Sequence, residues 1–384
     1  MTAIAVTGVT GRLGSLVARR LADSGATLRL VARDPSRVQP IGDAVVAAAT
    51  YDDAAAFEAA VSGASTLLLV SATESDTRVA DHITAIDAAI AAGVERIVYI
   101  SFQGAAPDAT FTFARDHWHT EQHLKSTGIA HTILRDNNYL AYVPALVDRA
   151  DGVIRGPAGE GRFAPVSHED IADVAAAVLS NDELLANETR DITGPQALSL
   201  NDVARTLTAR TGRTITYEPQ TRDEAFASRA HYGAPQWMVE GWVSSYEAIA
   251  TGELGTVSDT VETVTGHPPT SLEQYLDAQP EALAGLFAHA EAADAAIEKP
   301  SRWRKQLTDH LGHRIDTTSG PTTSTFRFGD GFALATDTEA GLRLEAEAAT
   351  GDRLAQIQDV VSRHLERFAH RHEISISWGP SPSR

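Results

Sequence analysis

The amino-acid sequence predicts an α/β fold built on a doubly wound parallel sheet, followed by a smaller α+β unit. Three observations carry this prediction. Short apolar runs alternate with amphipathic stretches from Ala3 to Leu134, and strands alternating with helices in units of this length imply right-handed crossovers between parallel strands. The runs Thr66-Leu67-Leu68-Leu69-Val70 and Arg96-Ile97-Val98-Tyr99-Ile100 are almost continuously apolar, as strands covered on both faces should be. Between the first strand and the first helix, Gly8, Gly11 and Gly14 recur at intervals of three.

The elements follow in order. Ala3 to Val6 is a short strand, and Leu13, Leu16, Val17 and Leu21 then recur at helical spacing. Thr27–Ala32 reads as a strand, Ala54–Val61 as a helix, Ser65–Ser71 as a strand, Val79–Ala92 as a helix and Arg96–Ser101 as a strand. A helix from about Phe113 to Ser126 precedes the strand His131–Leu134. The rhythm breaks at Asp136-Asn137-Asn138-Tyr139-Leu140 and passes into a Gly/Pro-rich stretch, Gly152 to Pro165. A helix then opens at Ser167-His168-Glu169-Asp170, where Ser167 or Asp170 can cap. Residues 222–288 read as helical and irregular, with Trp237, Met238, Trp242 and Tyr246 on one helical face, a spacing that favours plain packing over a pocket wall.

Residues 1–288 are thus expected to form one domain, its substrate part drawn mainly from 137–165 and 190–288, and residues 289–384 a small accessory domain. Ala288 to Pro300 reads as an Ala/Glu-rich helical junction. Beyond it the sequence predicts a helix over Trp303–Leu311, several short strands divided by glycine turns, a helix over Arg353–Phe368 and a last strand over Ile374–Trp378.

Composition narrows the function. The 384 residues carry a formal net charge of -19, with 32 basic against 51 acidic side chains. Such a field repels phosphate backbones and anionic membranes, so neither nucleic acid nor a membrane is an expected partner. There is no cysteine, which excludes disulfides and thiolate chemistry and fits a reducing compartment. The first residues show no secretory pattern and no stretch approaches a membrane span, so a cytoplasmic location is expected.

The glycine loop carries the chemistry. A strand, a glycine turn and a helix aim unpaired backbone N–H groups and the positive helix end at a pyrophosphate. Thr7, Gly8, Thr10, Gly11, Arg12, Leu13 and Gly14 are therefore the expected cofactor cradle of a Rossmann-type domain. The second strand ends Val31-Ala32-Arg33-Asp34-Pro35. With the strand ending at Ala32, Arg33 takes the cofactor-selecting place, and its guanidinium suits the 2'-phosphate of NADPH better than the free ribose hydroxyls of NADH. Asp34 is then a turn-former before Pro35.

Further residues carry a family resemblance. Asp52, Leu67 to Ser71, Val98 to Ser101, His131 to Asn137, and Ile192-Thr193-Gly194-Pro195 followed by Leu198-Ser199 together resemble the NmrA-like branch of the atypical short-chain dehydrogenases/reductases. Within that branch the chain is most similar to NAD(P)H:quinone oxidoreductase-type members, over about residues 1–285. The resemblance implies a nicotinamide cofactor lying across the carboxyl edge of the sheet, where Ser71 and Ser101 sit, with substrate held by the later segments. Ser101 can hydrogen-bond a substrate oxygen or the nicotinamide, and Asn137 and Tyr139 follow the strand after which the family places residues facing that ring.

The usual proton donor of these reductases, Tyr-x-x-x-Lys on a helix, is missing: no tyrosine has a lysine four residues on. At the matching helix stand Phe113 and His117. A ketone reduced by hydride becomes a basic alkoxide that needs an acid, whereas a quinone becomes a delocalised phenolate that water can protonate. The missing pair therefore favours reduction of a quinone or similar small electrophile, or a cofactor-binding sensor without turnover. His117 can stabilise oxyanion charge or orient the nicotinamide, or be an exposed helix histidine. No metal is expected, since His119 and His123 share a helical face without a third ligand nearby. Self-association is left open.

The segment from Pro300 to Trp378 resembles a small bacterial domain family that carries only a number and the label of unknown function. There His310, His313 and His364 are candidates to converge on a metal or an anion, with solvated or packing histidines the commoner reading, and Arg363 and Arg367, one helical turn apart, are candidates to pair with acidic residues of the first domain.

Overall fold

A computed structural model of the chain describes residues 3–369, 374 and 376–380. It packs into two compact units. The first comprises the chain to Ala141, Gly156–Leu200 and Pro219–Ser271; the second comprises Tyr142–Arg155, Asn201–Glu218 and the described residues from Leu272 on. No helix of the described residues is long and apolar enough to cross a membrane.

In chain order the elements are β1 (Ala3–Val6), α1 (Arg12–Asp23), β2 (Leu28–Ala32), β3 (Val45–Ala48), α2 (Ala54–Val61), β4 (Ala64–Val70), α3 (Arg78–Ala91), β5 (Arg96–Phe102), α4 (Thr112–Ser126) and β6 (Ala130–Asp136). Then come β7 (Val147–Asp148), β8 (Val153–Gly156), α5 (His168–Ser180), β9 (Thr189–Ile192), α6 (Leu200–Thr211), β10 (Thr216–Pro219), α7 (Arg222–Arg229), α8 (Gln236–Thr251), α9 (Thr260–Thr265) and α10 (Leu272–Ala278). The chain ends with β11 (His289–Ala295), α11 (Pro300–Leu311), β12 (Asp316–Ser319), β13 (Thr323–Arg327), β14 (Gly331–Thr338), β15 (Gly341–Ala348), α12 (Gly351–Phe368) and β16 (Gly379–Pro380).

The first unit is a seven-stranded parallel sheet ordered β3-β2-β1-β4-β5-β6-β9. Strand order reverses between β1 and β4, which opens a crevice at their carboxyl ends. Both faces are covered, and alternate residues serve each face. Leu68, Val98 and Leu134 pack with Val17, Leu21, Ile171 and Val174 of α1 and α5, while Leu67, Leu69, Ile97 and Ile133 pack with Phe57, Ile86 and Leu124 of α2, α3 and α4. The continuous apolar runs are explained by this two-sided burial. Strands β3 and β9, which the sequence reading passed over, are four-residue strands at the two edges, and pairing with a neighbour decides them. Ser167 caps α5 by accepting the Asp170 N–H at 2.9 Å.

The second unit holds a six-stranded sheet, β12-β13-β14-β15-β11-β16, with α11 and α12 contributing to its core. On α12, Leu354, Ile357, Val361 and Leu365 are buried at helical spacing, and they meet the alternating Leu342, Leu344, Ala346 and Ala348 of β15. A small sheet ordered β10-β8-β7 belongs for the most part to this unit.

Two expectations are corrected here. The Ala/Glu-rich stretch expected to be helical is the strand β11, paired antiparallel with β15 from His289↔Ala348 to Ala295↔Leu342. Alanine favours helix locally, but seven residues of ladder pairing and burial of Ala293 and Ala295 outweigh that preference. The last strand lies at Gly379–Pro380 and not over 374–378, of which residue 375 falls outside the described residues. Leu344 is fully buried at the centre of the second core. Leu344→Ala should cost about 2–5 kcal/mol of that unit's stability, measured by chemical denaturation.

Candidate active site

The site begins at the turn between β1 and α1. Gly8 adopts φ +66°, a left-handed conformation open to glycine at little cost. At Gly14 a Cβ would lie 2.4 Å from the Gly8 carbonyl oxygen and 2.6 Å from that of Thr7, so only glycine lets α1 seat against the end of β1. Gly11 is the N-cap of α1. It offers no side-chain cap, the first turn holds no acidic residue, and Thr10, Gly11 and Arg12 are exposed. The first-turn N–H groups and the positive helix end are thus left for an anion, and the loop fits a dinucleotide pyrophosphate.

Thr7 fastens this loop to the neighbouring strand. Its hydroxyl donates to the Leu68 carbonyl at 3.0 Å and accepts the Val70 N–H at 2.9 Å, while the Tyr51 hydroxyl lies 2.6 Å away. Ser71 follows β4 directly and is partly exposed. Leu13 is buried beneath the loop, and Arg12 reaches Glu169 at 2.9 Å. Strand β2 ends at Ala32, which leaves Arg33 exposed just beyond it, with no side-chain hydrogen bond or ion pair among the described residues. Asp34 is a turn-former: its carboxylate accepts the Ser36 N–H at 3.0 Å and caps a short helical turn.

Beyond the crevice, the carboxyl ends of β5 and β6 carry a buried polar network. The Ser101 hydroxyl donates to Glu121 at 2.7 Å, and the fully buried Glu121 carboxylate receives Arg135 through Nε at 2.7 Å and Nη2 at 2.6 Å. His117 is not an exposed helix histidine. It is buried, with Nε2 3.1 Å from Arg78 Nη2 and Nδ1 2.9 Å from the Tyr99 hydroxyl. Since arginine only donates, Nε2 accepts and Nδ1 carries the proton. Burial, and then Arg78, hold the His117 imidazole well below its usual range. The same two causes hold His82 at about 3, and its Nε2 accepts the Ala72 N–H at 2.8 Å. Both rings are neutral.

Arg78 is the unbalanced charge of this interior. It is buried, its Nε and Nη1 have no hydrogen-bond partner, and Asp116 stands 3.9 Å away. Asp136 is also buried, and burial pushes its carboxyl up to about 8, against the lowering effects of Tyr139 and Arg78. It is therefore a neutral acid at pH 7. The Tyr139 hydroxyl donates to Asp136 at 2.6 Å, and its ring lies 4.2 Å from that of His168. Asn137 turns inward, donating to Gln103 at 2.5 Å and to the Leu254 carbonyl at 3.0 Å.

Over this network runs a chain of aromatic rings. Phe102 and Phe111 are 5.2 Å apart, Phe111 and Phe113 5.5 Å, and Phe113 and Trp237 5.9 Å. All four are partly or fully exposed. Gly241 of α8 admits the Phe113 ring, since a Cβ there would fall 2.2 Å from it. Of the α8 positions expected to pack plainly, Met238, Trp242 and Tyr246 are half-buried and Trp237 is exposed, while the buried face is formed by Val239, Val243 and Ala248. Sequence reading passed over Arg78, Phe102 and Phe111 and gave no role to Glu121 or Asp136, although Phe102 directly follows Ser101 and Asp136 lies within the His131–Asn137 segment. His119 and His123 do not share a site: His123 pairs with Asp87 at 2.7 Å and His119 lies against Trp118. Among the described residues the one cluster spaced for a metal is Asp170, Asp173 and His267. Its carboxylates are already engaged, by Thr270 and by Arg20.

A family model described as NAD(P)H-binding matches residues 8–182, and a second, described as an uncharacterized protein conserved in bacteria, matches residues 292–379. The chain is 33% identical to quinone oxidoreductase 2 of Escherichia coli over 71% of its own length and 96% of that protein. It is 30% identical to an NAD(P)H azoreductase of Xenophilus azovorans, over 72% and 97% respectively. The crystal structure of the Escherichia coli NADPH-dependent quinone oxidoreductase complexed with NADPH superposes with a TM-score of 0.65 at 32% identity, covering 70% of this chain and 96% of that one.

Two outcomes follow from the site's geometry. Gly14→Ala should lower stability by about 1–3 kcal/mol through overpacking and weaken dinucleotide binding about tenfold or more, measured by denaturation and by fluorescence titration. Asp136 holds its proton in the folded chain up to about pH 8 but loses it near 3.8 when unfolded. Its contribution to stability therefore declines as the pH rises from about 4 to about 8. Asp136→Asn should lack that component, so its melting temperature should gain on the parent protein's between pH 6 and pH 8.

Proposed function

The chain belongs to the NAD(P)H-binding oxidoreductase family, and on that premise we propose that it uses NADPH to reduce a quinone or a similar small planar electrophile. The observation that carries the substrate class is the partly exposed aromatic wall of Phe102, Phe111, Phe113 and Trp237, whose Phe102 lies 6.2 Å from the His117 ring that meets buried Arg78. Flat aromatic faces hold a flat conjugated ring by offset and edge contacts. The preference for NADPH rests on Arg33, an exposed and unpaired guanidinium at the selecting position, with no carboxylate there to grip free ribose hydroxyls.

Bound NADPH supplies a hydride. The chain's own residues do the rest: the Gly8–Gly14 loop and the start of α1 hold the pyrophosphate, with Thr7 and Tyr51 keeping the loop on β4. Ser71 and Ser101 stand at the strand ends along the cofactor's path. Arg78 stands among neutral His82, His117 and Asp136 with Asp116 as far as 3.9 Å away, and its charge favours negative charge developing on the acceptor oxygen. Once the Tyr139 hydroxyl turns from Asp136 to that oxygen it can pass on its proton, the neutral Asp136 then donating its own to Tyr139, and solvent restores the proton to the pair. Hydride and proton together convert a quinone to its hydroquinone. Asn137 and His117 act from beneath, positioning the β6 end and Tyr99.

Purified protein with NADPH and a panel of quinones, followed by loss of nicotinamide absorbance, should show turnover. Tight NADPH binding with no turnover of any quinone would instead support a dinucleotide sensor. Arg33→Asp should weaken NADPH binding by about tenfold or more while changing NADH binding little, read by titrating both nucleotides.

A further inference from the structure

The second unit, to which no chemistry has been assigned, holds a cleft whose charge runs against that of the whole chain. A cavity of about 930 Å³ is lined by Arg314, Arg327, Arg353, Arg363, Arg367 and His364, with no acidic residue in its lining among the described residues. Its floor is apolar, with Leu311, Ile315, Phe328 and Val360. Five arginines therefore converge on one concavity of a protein whose formal net charge is -19.

The arginines differ in how they are held. Arg327 is fixed by Glu281 and by Asp316, the latter at 2.9 Å, Arg353 by Asp330 at 2.6 Å, and Arg363 by Asp359 of its own helix. These carboxylates lie outside the lining and orient the guanidinium groups. Arg314 makes no side-chain hydrogen bond or ion pair among the described residues and is exposed. His310 and His364 lie with ring centroids 5.0 Å apart. Desolvation first, and then His364, Arg314, Arg367 and His313, hold the His310 imidazole below its usual range. Three of the cleft's guanidinium groups are thus ion-paired, and the charge that no described carboxylate pairs is that of Arg314.

We propose that this cleft binds a small amphiphilic anion, a carboxylate or phosphate ester carrying an aliphatic or aromatic body. The arginines supply planar donors for the anionic head, and Phe328, Val360 and Ile315 accept the apolar body. The volume suits a small molecule. A polyanion such as nucleic acid would meet the repulsive field of the remaining surface, and a bilayer calls for an exposed apolar face in place of a bounded hollow. This site is independent of the dinucleotide loop and of the reductase reading.

The test is calorimetric titration of the full chain with octyl phosphate at low ionic strength, with inorganic phosphate and 1-octanol as separate arms. Octyl phosphate should bind at one site, at least about tenfold more tightly than either comparator. Replacing the exposed pair together, Arg314→Gln with Arg363→Gln, should weaken it by about tenfold or more without changing the melting temperature. Saturation should also move the His310 imidazole titration to higher pH in NMR spectra, because the bound anion offsets its cationic neighbours. The proposal is overturned if octyl phosphate gives no binding heat, if 1-octanol or inorganic phosphate binds as tightly, or if the double variant binds unchanged. Binding to anionic phosphatidylglycerol vesicles without binding to octyl phosphate would point to a membrane surface and overturn it as well.

Discussion

The contact on which the first unit depends is the approach of α1 to the end of β1, where Gly14 leaves no room for a Cβ against the carbonyls of Gly8 and Thr7. That contact sets where α1 begins, and so where its unpaired N–H groups point. It also lets α1 lie flat on the sheet, so that Val17 and Leu21 reach Leu30 and Leu68. Thr7 adds the second constraint by joining β1 to β4 across the reversal in strand order. The crevice is therefore fixed from both sides by the same few residues, and a rigid mouth holds a dinucleotide at a lower entropic cost than a mobile one.

Charge organises the interior beyond that mouth. Glu121 and Arg135 compensate one another with two hydrogen bonds, and Ser101 satisfies a further lone pair, which is what makes a fully buried carboxylate tolerable. Arg78 is treated differently. His82 and His117 beside it are deprotonated and Asp136 is protonated, so among the described residues its charge is met only by Asp116 at 3.9 Å. A buried charge without a full partner costs stability.

The second unit reaches its core by another route. Alanines at alternate positions of β14 and β15 keep the sheet face low, and the larger Trp303, Leu307, Ile357 and Leu365 of the two helices fill the space above it. With the helix faces spent on the core, the cationic side chains of α12 are left at its margin, where they meet those of the turn after α11.

The sequence by itself determined the parallel α/β class, the glycine loop and the end of β2, because these depend on local rules: hydrophobic period, the freedom of glycine at Gly8, and Asp34 forming a turn before Pro35. Boundaries of the central strands and helices were legible for the same reason. Strands β3 and β9 and the strand character of His289–Ala295 were not, since each exists only by pairing with a partner remote in sequence, and for β11 that pairing overrides the helical preference of alanine. The inward turn of His117 and Asn137, the neutrality of Asp136 and the isolation of Arg78 were likewise decided only by the tertiary structure. A side chain's charge state is a property of its surroundings, and those surroundings come from strands and helices tens of residues apart.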